Sequence, residues 1–157
     1  MAEKIQQSVE KQEPELLITR LIDAPRSLVY QAWTDPEHLK HWQGAPRGFT
    51  VIVEEEDIRP GGCFRVRMHS PELGTHRVQG TYREVIPSER LVFTHCWLDA
   101  DGNASHETLV TIVFKDCDGK TELTLRQNGF KSVESRDGHE QGWASMLDRF
   151  AEYIASI

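Results

Sequence analysis

Long apolar runs, paired cysteines and an excess of basic residues are all missing from this chain of 157 residues. No stretch approaches the roughly 20 apolar residues that cross a bilayer, and none resembles the apolar region of a signal peptide, so no membrane partner is expected. The chain has 18 Lys and Arg against 25 Asp and Glu, a formal net charge of −7. An acidic chain gains little from counterion release, so nucleic acid is not an expected partner either.

Cysteine is scarce, with only Cys63, Cys96 and Cys117, which are far apart and form no CxxC pair. A disulfide framework is therefore not expected, and a cytoplasmic location is predicted. Cys63 and Cys96 fall in strand-like patterns and are expected to fill small buried or half-buried positions.

Signatures of catalysis are also missing. The chain has no phosphate-binding loop, GxSxG elbow or HExxH helix, so no cofactor, metal ion or catalytic residue is assigned. Gly61-Gly62 follows Pro60 and is typical of a turn. The acidic run from Glu54 to Asp57 is interpreted as a solvated strand edge, although it could attract a cation.

The pattern that is present predicts a flexible tail over residues 1–14 and one domain over 15–157. Leu16–Ile22 is a β-rich run. Asp23-Ala24-Pro25 and Thr34-Asp35-Pro36 each predict a helix start, and Gly44 closes the second short helix. Alternating segments with tight turns then predict an antiparallel meander of about six strands. These are Phe49–Val53, Cys63–His69, His76–Val85, Leu91–Trp97, Thr108–Phe114 and Thr121–Gln127.

A last helix is predicted from one apolar stripe at helical spacing, formed by Trp143, Met146, Leu147, Phe150 and Ile154. The element order favours an α+β fold in which a curved antiparallel sheet grips this helix and leaves a cavity at its free end. Gly138 and Gly142 precede the stripe, and two explanations stay open: a frayed first turn, or close approach of another segment.

Aromatic and aliphatic residues on the predicted concave face are the candidates for the cavity wall. They are Phe64, Val66, Met68, Tyr82, Phe93, His95, Trp97, Ile112, Trp143, Met146 and Phe150. Trp33 and Trp42 are expected to pack the short helices on the sheet. His76 and His106 flank turns at the same end of the meander as His95, and are predicted at the cavity rim. Three such imidazoles could bind a metal ion or supply acid–base chemistry, or could simply be hydrogen-bonded surface residues.

Several blocks of the chain resemble one known family. They are Arg20–Pro25, Trp33–Glu37 with Trp42, Asp57–Gly62 with Phe64, Gly80–Val85 with Pro87, Arg90 and Leu91, and Gly142-Trp143 with Met146-Leu147. In this order they are similar to the Aha-type group, relatives of the activator of the ninety-kilodalton heat-shock chaperone ATPase, within the START-like (SRPBCC) superfamily. The resemblance runs from about Leu16 to Ile157.

The resemblance implies a helix-grip fold with a hydrophobic cavity between the sheet and the C-terminal helix. Members of the wider superfamily bind lipids, sterols, polyketides or plant hormones, and a few are enzymes. Chaperone activators of this type carry an additional N-terminal domain, where this chain has a short polar segment. Fold alone does not decide among these functions.

Three hypotheses of function follow. The first is binding of a small apolar molecule in the cavity, without catalysis. The second is a stress-related module that docks on a chaperone or another protein, which predicts a contiguous exposed patch on the outer sheet face or the short helices. The third is catalysis on a cavity-bound substrate by His76, His95 and His106. The ligand and the choice between monomer and homodimer are left open.

Overall fold

The structure is a computed structural model that describes residues 14–42, 50–72 and 74–157. The predicted tail falls almost entirely on residues 1–13, which lie outside the described residues. The predicted helix end at Gly44 and the strand start at Phe49 lie outside them as well.

The described chain opens with strand β1 (Leu16–Ile22), followed by two short helices, α1 (Arg26–Thr34) and α2 (Pro36–Trp42). Pro25 occupies the N-cap of α1 and no described side chain caps that helix, so Asp23 does not act as its cap. The Asp35 carboxylate does cap the next one, because Oδ1 accepts a hydrogen bond from Glu37 N at 2.9 Å. The predicted pair of short helices is confirmed.

Six strands follow and complete one antiparallel sheet with β1. They are β2 (Thr50–Glu56), β3 (Cys63–Ser70), β4 (Gly74–Ile86), β5 (Arg90–Leu98), β6 (Thr108–Cys117) and β7 (Lys120–Asn128). The strand order is β1-β7-β6-β5-β4-β3-β2, so the first strand pairs with the last and β1 and β2 form the two edges. The alternation in β3 is as predicted, with Phe64, Val66 and Met68 buried on one face.

The chain ends in helix α3 (Val133–Ser156), which has 24 residues. The Ser132 side chain caps it by accepting a hydrogen bond from Ser135 N at 3.1 Å. The helix begins well before Trp143 and runs without interruption through Gly138 and Gly142. Of the two explanations for these glycines, the frayed first turn is therefore wrong.

The C-terminal half of α3 packs tightly against β1 and α2. Leu147 and Phe150 have no exposed surface, and Ile154 is 5% exposed. The Phe150 ring lies 5.2 Å from Trp33 and 4.6 Å from Trp42, measured between ring centroids. A curved sheet therefore holds the long C-terminal helix, and the predicted α+β helix-grip fold is confirmed.

Within the described part of the chain, no helix has both the length and the apolar character needed to cross a membrane. The cytoplasmic location stays a prediction.

Candidate functional site

A cavity of about 470 Å³ lies between the N-terminal half of α3, strands β2 to β5 and the two short helices. Most of the residues predicted for the wall do line it. They are Phe64, Val66, Met68, Tyr82, Phe93, His95, Trp97, Trp143 and Met146.

Two predicted wall residues belong to the packed core instead. Ile112 and Phe150 are fully buried and are not part of the cavity lining. Ile112 pairs with Leu91 on β5 and Leu125 on β7, in the middle of the sheet. Phe150 is held between Trp33 and Trp42, beyond the end of the cavity. Both residues face the correct side, but they lie farther along it, where the helix and the sheet are in contact.

The predicted histidine trio is not assembled. His76 pairs with Met68 across the β3–β4 hairpin, but it is exposed and does not line the cavity. His106 is exposed in the segment between β5 and β6, where a ring nitrogen contacts the carbonyl of Gly129. Only His95 lies in the wall. Because the other two are displaced toward turns and loops, the metal and acid–base hypotheses for this trio are wrong.

The histidine that does join His95 is His139, on α3. Their ring centroids are 5.7 Å apart. His139 lies one helical turn before Trp143, so extending the apolar stripe backward by four residues would have found it. The cavity face of α3 continues in the same spacing through Ser135, Gly138 and Gly142, and Glu134 also lines the cavity.

The hydrogen bonds of His139 identify its tautomer. Its Nδ1 donates to the Ser135 carbonyl at 2.7 Å, because a carbonyl oxygen can only accept. Its Nε2 accepts from Trp97 Nε1 at 3.0 Å. His139 is therefore a neutral imidazole with both nitrogens engaged, and it ties the start of α3 to β5.

His95 is a buried imidazole with an unused nitrogen. His95 is 7% exposed. Among the described residues, no group hydrogen-bonds to its Nδ1. Burial, and secondarily the nearby His139, lower its pKa from 6.5 to about 3. The ring is thus uncharged at neutral pH, and its Nδ1 is a buried polar atom without a partner among the described residues, which is costly.

A chain of buried hydrogen bonds supports this part of the wall. Trp143 Nε1 donates to Gln127 Oε1 at 2.7 Å, and Gln127 Nε2 donates to Thr108 Oγ1 at 2.8 Å. Thr108 Oγ1 in turn donates to the His95 carbonyl at 3.1 Å. These bonds connect α3, β7, β6 and β5, so the orientation of Trp143 is set by the sheet beneath it.

A β-bulge in β2 turns an acidic side chain toward the cavity. Val53 pairs with Val66, but Glu55 pairs with Arg65 and Glu56 with Phe64, so one extra residue is inserted between Val53 and Glu55. Without the bulge, Glu55 would stand opposite Phe64. The prediction that the whole run from Glu54 to Asp57 forms a solvated edge is therefore wrong for Glu56, which is half-buried and lines the cavity.

Glu56 is paired with Tyr82. The Tyr82 hydroxyl donates to Glu56 Oε1 at 2.8 Å. Burial raises the pKa of Glu56 from 4.5 to about 7, and the hydrogen bond from Tyr82 opposes that rise. Burial and the neighbouring carboxyl raise the pKa of Tyr82 as well, so this hydroxyl remains a donor. The pair places a titrating carboxyl group within an otherwise apolar wall.

Aromatic rings cover much of the remaining surface. Trp33 and Trp42 pack the short helices as predicted, and they also line the cavity. Gly80 gives the Phe64 ring its place, since a Cβ there would lie 2.5 Å from Phe64 Cε1 and 1.8 Å from the Thr94 carbonyl oxygen. Leu39 and Val78 complete the apolar surface.

Gly138 and Gly142 border open space. None of the described residues comes within 4 Å of the position that a Cβ would occupy at either glycine. The close-approach explanation is therefore also wrong for the described part of the chain. Because neither glycine has a side chain, the cavity stays unfilled along this side of the helix.

The cysteines lie outside the cavity. Cys96 is buried as expected, on the outward side of β5, whereas Cys63 is exposed and does not fill a buried position. Among residues 14–42, 50–72 and 74–157, no group of three or more His, Cys, Asp or Glu side chains is placed to hold a metal ion.

The outer surface gives limited support for protein docking. Leu17 and Leu21 of β1 are 51% and 60% exposed. Across the strand pair they lie opposite Arg126 and Glu122 of β7. Two leucines beside charged neighbours are ordinary for a protein surface.

Solved structures of similar proteins share this architecture. Protein CV1439 from Chromobacterium violaceum is 27% identical, with 89% of this chain and 96% of that chain covered and a TM-score of 0.79. The AHSA1 protein SPO3351 from Silicibacter pomeroyi is 25% identical, with 90% and 98% covered and a TM-score of 0.80. A protein from Arthrobacter aurescens, 20% identical over 91% of this chain and 87% of that chain, has the same fold with a TM-score of 0.80.

Among curated proteins, none matches the chain at a significant level. A family model matches residues 23–155, and its description is "Activator of Hsp90 ATPase homolog 1-like protein". That match covers most of the chain and nearly all of its described elements. The chain therefore belongs to the Activator of Hsp90 ATPase homolog 1-like family.

Proposed function

We propose that this protein binds a small hydrophobic molecule in the cavity between α3 and the sheet. The cavity volume of about 470 Å³ falls in the range of small-molecule sites. Its wall is mostly aromatic and aliphatic, with few polar groups, which is the composition that such sites have. The membership in a family with this fold agrees with a binding role.

The observation that carries the proposal is the open space along Gly138 and Gly142, where no described residue comes within 4 Å of the position that a Cβ would occupy. Aromatic and aliphatic side chains of the sheet and of the short helices line this space. A molecule with an apolar body would cover this surface, and burial of apolar surface is favourable by about 25 cal/mol per Å². The ligand is thus expected to have an apolar body.

The four tryptophans provide a direct test, because all of them line the cavity. The neutral fluorescent probe N-phenyl-1-naphthylamine should bind saturably with one-to-one stoichiometry. Its emission should rise, and tryptophan emission should fall by energy transfer. Absence of saturable binding at the solubility limit of the probe would contradict the proposal.

A matched pair of variants locates the binding site. Gly142→Leu places a side chain at the open position on the cavity face of α3 and should weaken probe binding by about tenfold or more, since displaced apolar contacts are worth over 1 kcal/mol. Gln141→Leu places the same side chain at the neighbouring exposed position, outside the lining, and should leave binding unchanged. Equal effects of the two variants would place the probe elsewhere.

A further inference from the structure

The charged side chains that the structure describes in the cavity wall are all of one sign. Glu56 and Glu134 both line it, and among the described lining residues there is no lysine or arginine. Neither lining histidine is cationic in the geometry described above, since burial keeps His95 uncharged and His139 accepts a hydrogen bond at Nε2. Among these described residues, a carboxylate or phosphate group on a ligand would therefore meet no cationic partner, which is unfavourable in an apolar setting.

Glu56 is the charged group that lies deeper in the wall. It is half-buried, whereas Glu134 is exposed at the start of α3. The hydrogen bond from Tyr82 uses Oε1, one of its two carboxylate oxygens. A desolvated carboxylate with a single neutral donor among the described residues is stabilised strongly when a cation approaches it, because the effective dielectric constant around it is low.

Aromatic rings stand beside this carboxylate. Phe64 is the register partner of Glu56, and Tyr82 is its hydrogen-bond partner. Together with Phe93 they form a cluster whose ring centroids are 5.4 to 5.7 Å apart. Ring faces attract cations, most strongly where water is excluded, and aromatic surfaces next to a carboxylate are suited to an ammonium group.

We propose that the cavity selects molecules that carry a protonated amine on an apolar body, with the amine held at Glu56 beside Phe64, Tyr82 and Phe93. This inference rests on the proposed function and adds the chemical class of the ligand. The apolar body fills the space along Gly138 and Gly142. Free fatty acids and other apolar anions are discriminated against.

Three probes of equal chain length test this selection: n-decylamine, 1-decanol and sodium decanoate. Each competes with N-phenyl-1-naphthylamine at about pH 8, where Glu56 is ionised and decylamine is protonated, and below the concentration at which any of them forms micelles. The affinity for decylamine should exceed the affinity for decanoate by about tenfold or more, and the affinity for decanol should lie between the two.

Glu56→Gln is the decisive variant, because it keeps the size and the hydrogen-bond acceptor for Tyr82 while removing the charge. Decylamine affinity should fall to the level of decanol, and decanol affinity should change little. Glu55→Gln removes the neighbouring exposed carboxylate of β2, which lies opposite Arg65 and outside the lining, and should preserve the preference for the amine.

The results separate this inference from the proposed function. If decanoate binds as tightly as decylamine, or if Glu56→Gln retains the amine preference, the inference is overturned. The same holds if decylamine fails to displace the probe. Saturable binding of N-phenyl-1-naphthylamine in those cases would leave the binding function standing, whereas its absence would remove both.

Discussion

The two halves of α3 meet the same sheet in different ways. In the C-terminal half, Leu147, Phe150 and Ile154 fill the interface, and the aromatic rings of the short helices surround Phe150. In the N-terminal half, Gly138 and Gly142 leave open space, and the sheet beneath them forms the cavity. One half of the helix therefore holds the fold together, and the other half leaves room for a ligand.

The polar groups follow the same division. The half-buried carboxyl of Glu56, the buried imidazole of His95 and the tautomer-specific bonds of His139 all belong to the open half. Titratable groups with strongly shifted pKa values are costly and gather at functional sites. The region around the N-terminal half of α3 therefore combines incomplete packing with shifted pKa values. The tightly packed C-terminal half shows neither feature among the residues that fill its interface.

The largest expected effect is in the packed half. Phe150→Ala should lower the free energy of unfolding by about 3–5 kcal/mol, because it removes a fully buried ring and leaves a void between two tryptophans. Met146→Ala in the open half should cost only about 1–2 kcal/mol, since Met146 is half-buried and already borders a cavity. Urea unfolding followed by circular dichroism measures both. Equal losses would erase the distinction between the halves.

The next effect concerns the dependence of stability on pH. The pKa of Glu56 is raised from 4.5 to about 7, so the unfolded chain releases this proton first and stability falls as pH rises through that interval. The pKa of His95 is lowered from 6.5 to about 3, so its contribution to stability is lost as pH falls through that lower interval. Where the two pH intervals overlap, Glu56 and His95 change the free energy of unfolding in opposite directions as the pH changes.

Glu56→Gln isolates the first contribution. Relative to the wild type, this variant should gain up to about 3 kcal/mol of stability between about pH 4.5 and pH 7. Urea unfolding at intervals across this range provides the measurement, with Glu134→Gln as the control that follows the wild type. A stability difference that does not change with pH would show that the Glu56 carboxyl is not desolvated.

A third comparison tests how the open half is anchored. Gln127→Leu keeps most of the side-chain volume but leaves the buried Trp143 indole without its acceptor, so it should cost about 1–3 kcal/mol. Gln31→Leu changes the same residue type at an exposed position of α1 and should cost less than about 0.5 kcal/mol. Similar unfolding midpoints for both variants would contradict the anchoring role.

The smallest effect is a gain in stability. Gly138→Ala should raise the free energy of unfolding by about 1 kcal/mol, because alanine is the better helix former and its Cβ meets none of the described residues. Gly119→Ala should have the opposite sign, since Gly119 has a φ of +86° in the β6–β7 turn. Thermal unfolding of the two variants compares them directly. A destabilising Gly138→Ala would mean that the glycine serves close packing.

Much of the fold could be predicted from the chain because periodicity is a local property. Alternation placed Phe64, Val66 and Met68 on one face of β3, and the stripe from Trp143 to Ile154 identified α3. The same periodicity placed Phe93, His95 and Trp97 toward the helix. These assignments need only the repeat of a strand or a helix, so they do not depend on what lies across from each element.

What only the tertiary structure decided was position along those faces and the partners found there. Ile112 and Phe150 face inward but lie in the packed core, while His76 and His106 lie outside the cavity. The bulge that turns Glu56 inward exists only in the pairing of β2 with β3. The contact of His139 with Trp97 joins residues that are far apart in the chain. A repeat in the sequence determines which face of its helix or strand a residue occupies. The point along α3 at which the helix separates from the sheet depends instead on how the side chains of both elements fill the space between them.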